Sequence, residues 1–338
     1  MEAVCCSDGR GVSVKKIIAI IVSYGAPEQT AACLAALERS AHRFAAVHVC
    51  ENGGADAYRA LLAEVVPEPV QQGTTPLAPR CLETARVVRG AFPLFLHHAA
   101  ENLGYAGGIN LCLAAIAGEA WDAVLILNPD SIVAPDAVTA LIAHAATGPY
   151  GVIGCRLVLA DNNRIQMYGG FWRAWIARTL NLGFGQPAEA PVDVAAIEDR
   201  MNFVCGAAMF ATRGFVDRVG PLQEDYFLYM EEVDWCFRAG DFRLGYAHDA
   251  VVTHIHGVST GASTRAGHRS PLSIYLNERN KLHFTRRFFP LRYPVVIVTS
   301  FLYNLLYLKR GGLRPFSHAL AGWLAGLRGE FGGPPPRA

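Results

Sequence analysis

Charge is scarce in this sequence and balanced in sign: 17% of its 338 residues are charged and the formal net charge is +1. A balance of that kind excludes a general electrostatic hold on nucleic acid. A hydrophobic share of 52% equally excludes a disordered chain. The nine cysteines (Cys5, Cys6, Cys33, Cys50, Cys81, Cys112, Cys155, Cys205, Cys236) are scattered, odd in number and free of any C-x-x-C pair, so they read as reduced thiols of a cytosolic protein. Met1 to Val14 lacks the basic stretch and long apolar core of a secretory leader, and residues 1–14 are expected to be a flexible tail. There is no Walker A lysine motif, no Rossmann glycine fingerprint and no internal repeat. Partners must therefore be sought in local sites.

What is present is an alternation of strands and helices. Ile17 to Val22 is a β-branched run ending at Ser23-Tyr24-Gly25, and Thr30 to Arg39 then repeats small apolar residues at helical spacing. Ala45 to Cys50 stops at Glu51-Asn52-Gly53-Gly54 before a helical stretch from Ala55 to Glu64. Two such units in a row favour a parallel sheet covered by helices, an α/β fold. The proline-rich stretch 66–93 reads as an insertion around a short helix, Leu82 to Arg89. A strand from Leu94 to His98 leads to Asn102-Leu103-Gly104-Tyr105-Ala106-Gly107-Gly108 and a helix through Ala117. Another, Ala123 to Leu127, ends in Asn128-Pro129-Asp130, with Pro135 suited to the first position of the next helix. Beyond Tyr150, strands are expected at Gly151–Leu159, Phe203–Ala211, Phe242–Ala247 and Val251–His256. From Pro271 the chain reads as helices, Leu272 to Phe289 and Pro315 to Leu327 with an apolar run between, and Gly332 to Ala338 as a disordered tail.

Ligands of open α/β sheets bind beyond the carboxyl ends of the strands, and four polar or glycine-rich segments fall at such ends, which points to one shared pocket. Asn128-Pro129-Asp130-Ser131 offers a carboxylate and an amide oxygen where a hard cation and its phosphate cargo could be held, although the same residue types also make turns. Glu231-Glu232-Val233-Asp234 puts three acids in four residues at a helix start, which also suits the helix dipole. The aromatic stretch Asp225 to Met230 before them would shield a carboxylate, raise its pKa and fit it for general-base work. His254 and His256 alternate onto one face of a strand, either as ligands or as satisfied structural residues. The glycines of 102–108 would let backbone approach a diphosphate.

Taken in order, these segments resemble the family 2 glycosyltransferases, and among them a bacterial rhamnosyltransferase and galactofuranosyltransferase group. The resemblance runs from about Lys16 to Arg287 and rests on Val22-Ser23-Tyr24, Asn102 to Asn110, Leu127 to Asp130, Phe203 to Met209, Asp225 to Arg238 and His254 to Ser259. It implies a GT-A type fold, a Rossmann-like mostly parallel sheet flanked by helices, over residues 15–270, with a C-terminal helical extension at 271–330 and a tail at 331–338. It further implies an inverting transfer from a nucleotide-sugar donor, aided by Mg2+ or Mn2+, to a glycan or lipid-linked saccharide acceptor, with no nucleic-acid partner. Asp130, His254 and Asn128 would hold the metal, Asn128 standing where the family has an acid. Glu232 would be the base, with Glu231 and Asp234 as fallbacks. Ser23, Tyr24, Glu51, Asn52, Asn102, Gly104, Gly108, Asn128 and Asp130 would hold the donor, while Gly206, Ala207 through Met209, and Trp235 would face the acceptor. L-rhamnose from dTDP-rhamnose is the first expectation for the donor, galactofuranose or another hexose from a UDP-sugar the second.

Two other classes share parts of this pattern. A sugar-nucleotide pyrophosphorylase should carry a glycine-rich, basic loop after the first strand, where Ser23-Tyr24-Gly25-Ala26-Pro27 stands instead. A catalytically silent glycan-binding subunit finds support in Asn128. Val295 to Leu308, flanked by Arg286, Arg287, Arg292, Lys309 and Arg310, is compatible both with a core helix and with one lying on the cytoplasmic face of the inner membrane.

Overall fold

The computed structural model describes residues 14–66, 71–73, 77–255 and 269–333. Thirteen strands are formed among them: β1 (Ile17–Ser23), β2 (Ala46–Glu51), β3 (Gln71–Gly73), β4 (Cys81–Arg89), β5 (Phe92–Ala99), β6 (Ala123–Leu127), β7 (Ser131–Val133), β8 (Tyr150–Leu159), β9 (Ile165–Met167), β10 (Gly170–Arg173), β11 (Arg178–Asn181), β12 (Ala208–Thr212) and β13 (Arg243–His254). The helices are α1 (Pro27–Glu38), α2 (Ala55–Val65), α3 (Gly104–Ala115), α4 (Ala137–Ala145), α5 (Val194–Arg200), α6 (Arg213–Val219), α7 (Glu231–Phe237), α8 (Pro271–Phe288), α9 (Tyr293–Gly311) and α10 (Leu313–Arg328).

Eleven strands make one mixed sheet in the order β3-β4-β5-β2-β1-β6-β12-β8-β13-β7, with β9 on β8. Its centre is parallel: β5, β2, β1 and β6 run the same way. The β-branched run of β1 explains why it lies there, because a strand covered on both faces has no solvated side. Ile18, Ile20 and Val22 enter one apolar core while Ile17, Ala19 and Ile21 enter the other, the alternation that a strand's two-residue period dictates.

The register brings the site together. β12 runs antiparallel to β6 with Ala208 opposite Leu127, so the residues before β12 meet those after β6. β13 ends with His254 opposite Ser131 of β7. The segments after β1, β2, β5 and β6, the segment before β12 and the end of β13 thus share one edge of the sheet.

Several sequence expectations need correction. Leu82 to Arg89 is no helix but most of β4, hydrogen-bonded antiparallel to β5. Its Val87-Val88 pair and the neighbouring edge of β5 outweigh local helix propensity. Phe203 to Ala207 is a loop, only Ala208–Thr212 being strand. The two expected strands after Phe242 are one, β13, interrupted by a register shift between Ala247 and Val251. Pro135 precedes its helix, whose cap is Asp136. The start of the expected C-terminal tail is tied down: Gly332 N donates to the Asp225 carbonyl at 2.8 Å, Arg279 donates to the Gly332 carbonyl at 2.6 Å, and Phe331 stacks on His283. His256 and the remainder of both tails lie outside the described residues.

Candidate active site

α3 forms the floor of the cleft. A Cβ on Gly108 would stand 2.7 Å from Val22 Cγ1, so only glycine lets this helix close onto β1. Gly104 has φ +71°, and a Cβ there would lie 2.2 Å from the Phe227 carbonyl, which accepts from Tyr105 N at 2.8 Å. The start of α3 is thereby pressed against the loop that carries the acids. Asn110 reinforces the contact by donating to the Leu222 carbonyl and to Glu224, both at 2.8 Å, and Arg80 grips Glu224 through two nitrogens, at 3.0 and 2.6 Å.

Phe227, Tyr229 and Met230 all have positive φ, +64°, +70° and +81°. Non-glycine residues hold such angles only where their surroundings over-determine them, and they gather at functional sites. The surroundings here are α8: fully buried Asn280 points its amide nitrogen at the carbonyls of Tyr226, Leu228 and Tyr229, each 2.9 Å away, and Arg279 donates to the Tyr226 carbonyl at 3.1 Å. This contorted turn delivers Glu231 and Glu232 as the first two residues of α7.

The two acids differ in exposure. Glu231 is 2% exposed, and burial followed by the charge of Glu232 drives its carboxyl well above the usual range. Glu232, half-buried at the cleft, is raised to about 7, with burial as the main cause and backbone N–H groups opposing it. The pair therefore holds a proton at neutral pH. One oxygen of each lacks a hydrogen-bond partner. Asp234, the third acid, is structural: it is buried and receives Arg238 at 2.7 Å, Arg287 at 3.0 Å and the Tyr226 hydroxyl at 3.1 Å. Trp235 likewise packs edge-on against Phe215 and donates its indole N–H to the Gly220 carbonyl at 2.9 Å, fully enclosed. It has no surface to offer an acceptor. Ala207, Ala208 and Met209 are also buried, leaving Gly206 as the cleft-facing member of that group. A Cβ on Gly206 would come within 3.7 Å of Glu232, and its carbonyl accepts from the Tyr105 hydroxyl at 2.5 Å.

Opposite stands the segment after β6. Asn128 N and the Ser131 hydroxyl both donate to the Ala207 carbonyl at 3.0 Å, which locks this turn to the start of β12. His254 Nε2 is 3.1 Å from Asp130 Oδ1, and its Nδ1 is 2.8 Å from Gln166 Oε1. An amide oxygen can only accept, so Nδ1 carries a proton and Nε2 is the ring atom turned toward the Asp130 carboxylate. An imidazole nitrogen and a carboxylate oxygen at that separation can both ligate one cation. The donors, one carboxylate and one imidazole with a hydrogen-bonded second nitrogen, fit a divalent ion that completes its shell with water and phosphate oxygens. Asn128 Nδ2 lies 3.5 Å from His254 Nε2, which makes it a neighbour of the histidine and not an oxygen donor as it stands. Among the described residues no group of three or more His, Cys, Asp and Glu side chains gathers.

On the remaining wall, Glu51 takes N–H groups of Gly25 at 2.9 Å and Gly53 at 2.7 Å through one oxygen, while its other oxygen is buried and without a partner. Asn52 ties β2 to α3 by donating to the Gly104 carbonyl at 2.9 Å. Asn102 accepts from Gly104 N at 3.0 Å. Ser23 is buried and accepts from Thr30, whereas Tyr24 stands 54% exposed at the rim. Tyr105, Gln166, Asn280 and Arg279 join the site without having been singled out from sequence. Tyr105 lay inside a motif that drew attention to its glycines. Gln166 sits on a short strand with no motif, and Glu278-Arg279-Asn280-Lys281 reads as a solvated helix face although all four are buried.

Residues 83–192 match the family model described as Glycosyl transferase family 2. The chain carries a glycosyl transferase family 2 domain. The matched stretch includes the α3 motif and Asn128 to Asp130, while Glu231, Glu232 and His254 follow it. Over 209 residues, 53% of this chain, the sequence is 28% identical to an N-acetylglucosaminyl-diphospho-decaprenol L-rhamnosyltransferase of Mycobacterium tuberculosis, covering 65% of that protein. It is also 25% identical over 185 residues to the low-salt glycan biosynthesis hexosyltransferase Agl10 of Haloferax volcanii, covering 56% of it. The matches thus span less than two thirds of these relatives. Among solved structures, a mannosyltransferase from Pyrobaculum calidifontis in complex with GDP-Man and Mn2+ superposes with a TM-score of 0.51 at 13% identity, covering 95% of this chain and 90% of that one. GalNAc-T7 with UDP, GalNAc and Mn2+ gives 0.57 at 11% identity, covering 93% and 56%. The fold around the domain is accordingly of the GT-A type, with a C-terminal helical extension.

Proposed function

We propose that the chain is an inverting, metal-dependent glycosyltransferase of the cytoplasm that moves a sugar from a nucleotide-sugar donor to a glycan or lipid-linked saccharide acceptor in cell-surface polysaccharide synthesis. L-rhamnose from dTDP-rhamnose is the preferred donor, in keeping with the rhamnosyltransferase relative. The observation that carries the reading is the pairing of a carboxylate raised to about 7, Glu232, with the Asp130–His254 pair of the same cleft. Burial first, and then the charges of Glu231, Glu232 and Asp130, raise the pKa of the Tyr105 hydroxyl, which ties the two parts of the site together.

Glu232 takes the proton of the acceptor hydroxyl as that oxygen attacks the anomeric carbon, and a base poised near the working pH is efficient at this. Glu231 keeps the shared proton close to Glu232, and Tyr105 fixes Gly206 as the floor on which the acceptor rests. Glu51 and Asn52 shape the nucleoside end of the cleft through the loops they tie. Mg2+ or Mn2+ held by Asp130 and His254 would offset the charge building on the departing nucleoside diphosphate. Attack and departure on opposite faces invert the anomeric centre in one step, by analogy with inverting glycosidases.

Binding tests this apart from turnover. A nucleoside diphosphate that binds only the folded, metal-loaded cleft should raise the unfolding temperature, since a ligand selective for the native state stabilises it. Protection that requires both nucleotide and manganese supports the reading. No protection by any nucleoside diphosphate would turn it toward the silent subunit that Asn128 suggests.

A further inference from the structure

Away from the cleft, α9 is built inside out. Its inward stripe of Val296, Ser300, Asn304 and Tyr307 is mostly polar, while Val298 (58% exposed), Leu302 (55%), Val295, Leu305, Leu306 and Leu308 face outward. The stretch Pro290–Gly311, 22 residues long, is by length and composition apolar enough to cross a membrane, yet only 22% of its most apolar 18-residue window is buried. A helix serving a water-soluble core turns its apolar stripe inward, so the outward face points to an apolar neighbour. The polar stripe is committed to the protein: Tyr307 donates to Glu278 at 3.4 Å, and the Asn304 amide, in the orientation that satisfies both its atoms, reaches Glu278 at 2.6 Å. That commitment fixes α9 against α8 and argues for a position along a membrane surface, not across it.

Beside this face lies a cavity of about 290 Å³ lined by Arg173, Arg178, Arg269, Arg310, Tyr303, Leu306 and Tyr307. Among the described residues, four arginines and no acid line it. Arg178 is neutralised by buried Glu278 at 3.1 Å, but among the described residues Arg173 and Arg310 form no ion pair, and both are exposed. The guanidinium fork matches phosphate oxygens in pairs. Trp175, at the tip of the β10–β11 hairpin, is 57% exposed and carries the Arg292 guanidinium over its ring at 4.7 Å, an amphipathic group of the kind that settles at a membrane interface.

We propose that this arginine cavity binds the phosphate headgroup of a membrane lipid while the outward face of α9 rests among the acyl chains. The inference rests on the proposed function only in that a lipid-borne acceptor would be presented at the same surface. Glu278, which neutralises Arg178, lies on the helix whose Arg279 and Asn280 hold the Glu231–Glu232 turn, so a headgroup seated here is packed against the element that positions the proposed base.

The test is flotation of the full chain with three kinds of vesicle: phosphatidylcholine alone, phosphatidylcholine with phosphatidic acid, and phosphatidylcholine with phosphatidylglycerol at matched charge. The wild type should float best with phosphatidic acid. The double variant Arg173→Gln/Arg310→Gln should lose about 10- to 30-fold of that affinity, judged from the worth of each basic residue near an anionic surface. A double variant at the exposed Arg39 and Arg43, matched in charge, should change it less than about twofold by the same reasoning. If Arg173→Gln/Arg310→Gln misfolds, Arg310→Glu alone serves, and it should abolish the preference for phosphatidic acid. Equal flotation with all three vesicles, or an Arg173→Gln/Arg310→Gln protein that floats like the wild type, overturns the cavity. So does protection by pyrophosphate without any flotation, which would mark a site for soluble phosphate. Wild-type donor hydrolysis in solution needs no vesicle: hydrolysis without flotation sinks this inference alone, and flotation without hydrolysis sinks the proposed function alone.

Discussion

Replacing Asn280 by leucine should damage catalysis more than donor binding. The two side chains share the same branched heavy-atom skeleton, so the change removes the hydrogen-bond donors, and Asn280→Asp is the control matched in volume. The Tyr226 carbonyl keeps Arg279 and Leu228 N as donors, but those of Leu228 and Tyr229 lose the amide at 2.9 Å. Each carbonyl left buried and unpaired costs about 1–3 kcal/mol, so a turn that keeps its shape loses roughly 2–6 kcal/mol in all. The left-handed residues Phe227, Tyr229 and Met230 each store about 1–3 kcal/mol, and that strain favours relaxation of the turn instead. Relaxation moves Glu231 and Glu232, and a displacement of about 1 Å costs on the order of 100-fold in rate. Steady-state kinetics of donor hydrolysis should therefore show kcat reduced about 100-fold, with KM for the donor little changed because Ser23, Glu51 and Asn52, the residues proposed to hold it, stand on other elements. Asn280→Asp, which cannot donate either, should behave alike. A variant that unfolds several degrees earlier yet keeps the wild-type kcat would refute a positioning role.

Glu232→Gln keeps the shape and removes the base, so transfer should fall about 10²- to 10⁴-fold in an acceptor-dependent assay. Activity should rise with pH through about 7, the value to which burial raises Glu232, because only the carboxylate accepts a proton. The effect on stability has the opposite sign: a carboxyl whose folded pKa is raised favours the fold below its unfolded value, and that contribution is lost as pH rises through the folded value. Thermal melts should accordingly show wild-type stability falling from pH 5 to 8 relative to Glu232→Gln, by about the amount linkage requires. Asp130→Asn should abolish the manganese-dependent thermal protection by nucleoside diphosphate, and its retention would move the ion elsewhere. Asp234→Asn strips a buried partner from Arg238 and Arg287 and should lower stability by about 3–5 kcal/mol in denaturant titration, where an unchanged midpoint would return Asp234 to the candidate bases.

The parallel core was legible because its strands are continuous apolar runs between turn residues, and β1, β2 and β6 begin and end within a residue or two of where the pattern puts them. Leu82 to Arg89 was not, since its residues suit a helix and become a strand only by pairing with β5. The convergence was legible in short motifs: Asn102 to Gly108, Asn128 to Asp130, Glu231-Glu232 and His254 meet at one edge of the sheet, as their places at strand ends imply. It was misread where a motif residue serves the core, as Trp235 and Asp234 do, because periodicity cannot tell which face of a two-turn helix meets solvent. It was invisible where a distant element supplies the support. Asn280 lies about fifty residues beyond the turn it holds, and only the packing of α8 makes it matter.

The central claim is tested most directly by following nucleoside diphosphate released from a panel of nucleotide sugars by the purified chain, with manganese and with chelator. The account predicts release from one donor, dTDP-rhamnose first among them, that chelator abolishes and Glu232→Gln suppresses. Release indifferent to chelator and to Glu232→Gln, or none from any donor even with acceptor glycans present, would contradict it.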